Sequence, residues 1–116
     1  MAKKSPILGQ WRITRRERTS GVYIQAKAGM FIRFDSNGFG EFQLVGFSGF
    51  LDYRLVERDD KPAVEWTWQG NEDGEGEEVS GRGWAVLEDN GMLRGRLFVH
   101  DLDDIGFVAE KSPGGR

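Results

Sequence analysis

The chain has no cysteine, one histidine, no long apolar run and no excess of positive charge. Without cysteine there can be no disulfide, thiolate nucleophile or cysteine-ligated zinc. A single imidazole, His100, cannot build an all-histidine metal site. The start MAKKSPILGQW offers only Ile7 and Leu8 before Gly9, too short an apolar run for a secretory signal. Nor does any stretch approach the ~18 apolar residues of a membrane span. A cytoplasmic protein without a membrane partner is expected. The formal net charge is −3, so no global basic field would hold DNA or RNA, and no nucleic-acid partner is expected. G-x-S-x-G, a phosphate-cradling glycine loop before a helix, and H-E-x-x-H are all missing, so neither an enzyme nor a cofactor is expected.

Glycine and aromatics are abundant: 17 Gly, eight Phe, four Trp and two Tyr in 116 residues. Glycine at that level disfavours helices and suits turns and closely packed strands. The length allows one domain, residues 1–111, followed by a loose tail, 112–116. Charge is uneven. Residues 1–33 hold eight Lys or Arg against Glu17 alone, whereas 71–78 holds five carboxylates, a pattern read as solvated surface.

Apolar and polar residues alternate from Leu8 to Lys111, and the longest candidate helix, Ser20 to Ala28, is barely two turns. Turn signals cut the chain into eight strands, 8–18, 29–35, 39–46, 49–57, 62–70, 79–89, 92–100 and 105–111. Paired residues must share a face, so each hairpin tests the pattern. The Ser36-Asn37-Gly38 loop pairs Phe34 with Gly40, Ile32 with Phe42 and Met30 with Leu44. A turn at Phe47-Ser48 pairs Leu44 with Leu51 and Phe42 with Tyr53. The loop 58–61 pairs Leu55 with Val64, Tyr53 with Trp66 and Leu51 with Trp68, leaving a row Arg33, Glu41, Arg54, Glu65 outside. Asn90-Gly91 pairs Trp84 with Leu97 and Arg82 with Val99, and a last turn pairs Val99 with Phe107. One apolar face survives every turn. The expected fold is all-β, an eight-stranded antiparallel up-and-down barrel, because closure removes the edges of such a sheet.

Gly9-Gln10-Trp11 at the start of the first strand, together with this meander, resembles the calycins, the superfamily that includes lipocalins, fatty-acid-binding proteins and avidins. The resemblance implies that Gly9 and Trp11 plug a closed end, with a basic residue of the last strand, here Lys111, packed across the Trp. It also implies that the Ser20 to Ala28 connection lids an open mouth at the other end.

An eight-stranded barrel can be filled by side chains or hold one small ligand. The second reading places a hydrophobic or amphipathic, possibly anionic, ligand against Arg15, Met30, Tyr53, Trp66, Trp68, Arg82, Trp84 and Phe107, with its charge on Arg82. In the first, the aromatics are simply core, and the chain is a protein-interaction module or homodimer using outward pairs such as Val45 with Phe50 or Phe98 with Val108. The cluster His100-Asp101-Leu102-Asp103-Asp104 reads as an Asp-rich turn, with no metal expected.

Overall fold

A computed structural model describes residues 5–44, 46–73, 76–102 and 104–112. It contains β1 (Gly9–Thr19), β2 (Val22–Gln25), β3 (Phe31–Phe34), β4 (Phe39–Leu44), β5 (Phe47–Arg58), β6 (Lys61–Glu72), β7 (Glu78–Leu87), β8 (Leu93–Val99) and β9 (Asp104–Lys111). Eight of these form a closed antiparallel barrel in the order β1-β3-β4-β5-β6-β7-β8-β9, sealed by β1 on β9, and β2 is an extra strand beside β1. No helix occurs among the described residues, so no helix there is long and apolar enough to cross a membrane. The fold is the expected all-β up-and-down barrel.

The segment Ser20 to Ala28 forms no helix. It turns at Gly21, whose φ of 77° lies in the left-handed region, and runs back along β1 as β2, pairing Arg15 with Gln25 and Glu17 with Tyr23. The run Val22-Tyr23-Ile24 is β-branched and aromatic, which favours a strand.

Register agrees with the sequence pattern at two hairpins. Ile32 faces Phe42 and Phe34 faces Gly40, while Leu51 faces Trp68 and Tyr53 faces Trp66. At two others the strands slide by an even number of residues. Leu44 faces Phe47 rather than Leu51, because the reversal is tighter and Gly46 takes a φ of 93°. Phe107 faces Gly95 rather than Val99. Even slides preserve the faces. They do break the expected charge row: Glu41 stands opposite Phe50, so Arg33 with Glu41 and Arg54 with Glu65 remain as separate pairs.

At β7 the register differs by one, and the face inverts. Gly81, Gly83 and Ala85 point inward opposite Trp68, Trp66 and Val64, while Arg82 and Trp84 point outward. Packing explains the inversion. A Cβ on Gly83 would come within 2.5 Å of the Trp66 indole, and one on Gly81 within 2.9 Å of Trp68 Nε1. The same device recurs around the barrel, where Phe34 faces Gly40, Phe42 faces Gly49 and Phe107 faces Gly95. Each ring lies over a strand position without a side chain, and the rings then meet one another. Phe42 contacts Trp68 edge-on at 5.1 Å, and Phe34 meets Trp66 at 5.6 Å. Part of the glycine content is therefore core volume.

Arg15 is also outside. A bulge in β1 between Ile13 and Arg15 flips the faces, so Arg15 pairs with outward Val108 and is exposed.

Candidate functional site

One end of the barrel is packed by the chain's first described turn. Trp11 is buried, its Nε1 donates to the Ile7 carbonyl at 2.8 Å, and Lys111 Nζ stands 4.8 Å from its ring centroid. Lys111 also donates to the carbonyls of Pro6 and Leu8. Desolvation holds its pKa below the ordinary lysine value. A Cβ on Gly9, where φ is 111°, would crowd the Lys111 ammonium at 3.1 Å. Gly9, Trp11 and Lys111 thus form one cap.

Of the eight residues expected to hold a ligand, the structure brings Met30, Trp66, Trp68 and Phe107 together as buried core, with Tyr53 half-buried at its edge. The Tyr53 hydroxyl donates to the Asp35 carbonyl, and burial raises its pKa. Trp68 Nε1 donates to the Phe98 carbonyl at 3.2 Å, whereas Trp66 Nε1 has no partner among the described residues. Arg15, Arg82 and Trp84 lie on the outer face. Glu17 turns outward. It accepts from Arg96 at 2.9 Å and from the Gly21 N–H at 2.7 Å, and the Arg96 bond leads in holding its pKa below the ordinary glutamate value.

Arg82 is now the centre of an outer-face site. Register places Phe39, Asp52, Thr67, Arg82, Phe98 and Asp104 in one row across six strands. The Arg82 guanidinium lies 4.6 Å from the Phe98 ring centroid. Among the described residues no carboxylate stands within ion-pair distance of it. A groove of about 930 Å³ opens on one side of Arg82, with Phe39, Phe50 and Leu102 on its wall. These are 55%, 69% and 66% exposed. A second groove of about 580 Å³ opens on the other side, lined by Arg54, Arg58 and Trp84. Arg82, Phe98, Asp52 and Thr67 line both, so the two flank Arg82. Arg58 sits 4.2 Å and Arg94 5.8 Å from the Trp84 ring centroid. Arg94 is tied to Glu88, whose pKa is lowered first by Lys61 and then by Arg94.

The outcome is one surface that changes character along its length, apolar at Phe39 and Phe50, cationic and aromatic at Arg58 and Trp84. Phe39, Asp52 and Thr67 escape a reading that looks only for inward residues. Their signal is an aromatic on the polar parity of β4: Phe39 shares the face of Glu41, opposite that of Phe42.

The Asp-rich turn does not gather a site. His100 is exposed, 3.4 Å from Asp101, and no three potential metal ligands converge among the described residues. Asp103 lies outside the described residues, as does Val45 of the expected Val45–Phe50 patch. Phe98 pairs with Asp104 and Val108 with Arg94, so the expected Phe98–Val108 pair is not made. No protein-family model, no curated protein and no solved structure matches the chain.

Proposed function

We propose that this protein is a non-enzymatic, calycin-like binding barrel that takes a small amphipathic anion on its outer face. The ligand's carboxylate sits on Arg82, and its apolar body lies along Phe98 toward Phe39 and Phe50. The observation that carries the reading is Arg82 itself, stacked on Phe98 between two grooves without a carboxylate partner among the described residues. An aromatic face leaves the guanidinium's edge donors available, and those donors suit a planar anion. The barrel interior serves as scaffold. Its indoles and phenyl rings occupy the space that a lipocalin-type ligand would need, and the aromatic–glycine pairs explain how they fit.

A second reading has its own support. Phe39, Phe50 and Leu102 are strongly exposed along one groove, and clustered exposed apolar side chains mark protein interfaces as well as ligand sites. The two are separated by titrating the protein with anthracene-9-carboxylate and with anthracene. The small-anion reading expects the carboxylate to bind more tightly and Arg82→Met to weaken it by ~1.5 to 3 kcal/mol, the range for charge-assisted hydrogen bonds. Equal affinity for both compounds, unchanged in Arg82→Met, would contradict it.

A further inference from the structure

The uneven charge of the chain takes a definite shape in the fold. Pairing of β1 with β9 ends at Arg16 opposite Phe107, and pairing with β3 ends at Arg12 opposite Phe31. Past Arg16 the backbone of β1 pairs with β2 alone among the described residues, while the Glu17 side chain reaches back to the Gly106 N–H and Arg96, so the β1–β2 hairpin, from Arg15 onward, forms an arm at one rim of the barrel. The arm carries Arg15, Arg16, Arg18 and Lys27, and among the described residues none of them reaches a carboxylate. Glu17, the one acid of residues 1–33, is held by Arg96 and two backbone N–H groups. Among the described residues the outer edge of β2 has no strand partner. An open edge on a cationic arm is an unfilled pairing surface.

The topology also states what stands across from it. In the ring β1-β3-β4-β5-β6-β7-β8-β9, β6 is diametrically opposite β1 and runs in the same direction. The facing ends of β6 and β7 therefore sit on the same rim as the arm, at its far side. Glu72, Asp73, Glu77 and Glu78 stand there, and none of these is ion-paired among the described residues.

We infer that two copies of this chain associate rim to rim, the arm of each against the facing ends of β6 and β7 of the other. A two-fold axis perpendicular to the barrel axis, passing midway between arm and strand ends, brings opposite charges together twice. Such an isologous contact closes on itself and goes no further. A second copy fits better than a nucleic acid. Residues 34–116 carry eight Lys or Arg against eighteen Asp or Glu, so a polyanion drawn to the arm would meet repulsion from the rest of the chain. The other copy satisfies both charges. This contact is separate from the Arg82 groove and does not depend on it.

The test is the mass of the full-length protein by sedimentation velocity and light scattering, over a dilution series at low salt and at ~1 M salt, where the screening length is ~3 Å. The expected result is a dimer at low salt that dissociates at high salt. Arg15→Glu/Arg16→Glu/Arg18→Glu and Asp73→Lys/Glu77→Lys/Glu78→Lys should each weaken self-association at least about tenfold, since like charges then meet across the contact. Equimolar mixing of the two variants should restore the dimer, which a general loss of structure would not allow. Circular dichroism confirms that each variant keeps its strand signal. A wild-type protein that stays monomeric at low salt and high concentration overturns the inference. So does a mixture that stays monomeric. So does a monomer whose arm binds single-stranded RNA, with that binding lost in the arginine variant.

Discussion

Trp66 and Trp84 occupy neighbouring strands of one barrel, yet their surroundings have almost nothing in common. Trp66 is 3% exposed, lies against the backbone of Gly83 and meets Phe34 and Phe107. Trp84 stands one residue beyond that glycine, outside, between Arg58 and Arg94. What separates them is parity on β7. The inward positions there are Gly81, Gly83 and Ala85, so the indoles of β6 can fill the interior, and Arg82 and Trp84 are turned out. A packed inner face and the proposed binding face share one strand.

Removing the inner ring should have the largest effect. Trp66→Ala is expected to cost ~3 to 5 kcal/mol, as for other buried large aromatics, measured as a drop in urea midpoint. Gly83→Ala attacks the same contact from the other side. With Trp66 atoms at 2.5 Å from the new methyl, overpacking should cost ~1 to 3 kcal/mol. Trp84→Ala should cost only about 1 kcal/mol, the scale of exposed cation–π contacts, and a loss as large as that of Trp66→Ala would erase the distinction between the two faces.

The smallest effect is electrostatic and has a sign. Glu17 has a folded-state pKa below its unfolded value, led by its bond to Arg96. Its contribution is therefore fully present above the ordinary glutamate range and is lost as pH falls through the lowered value. The stability advantage of the wild type over Glu17→Gln should shrink on acidification in that window and stay flat above it. An advantage that grew on acidification would contradict the outward Glu17–Arg96 pair.

The strands and the closed meander were legible because alternation survives even slides of register. At Phe42 and Phe107 the partner changed and the face did not. The β7 inversion was not legible from apolar pattern, since Trp84, Val86 and Arg82 carry visible side chains and Gly81 and Gly83 carry none. The cue lay on the adjacent strand. Two tryptophans two residues apart need volume, and only the glycine parity of β7 supplies it. Arg15 was misplaced for another reason: a bulge has no composition signal of its own, and one extra residue near Thr14 exchanges inside for outside. The outer site follows from the β7 reversal alone, because Arg82's change of face leaves its guanidinium on Phe98.

The central claim, a filled interior with binding on the outer face, is tested most directly by two-dimensional nitrogen–proton correlation spectra during a titration with anthracene-9-carboxylate. The indole N–H of Trp84 and the backbone amides of Thr67, Arg82 and Phe98 should move with the ligand, while the indole signals of Trp66 and Trp68 stay in place. Large shifts at Trp66 and Trp68 with Arg82 and Trp84 unmoved would put the ligand inside the barrel and contradict the account.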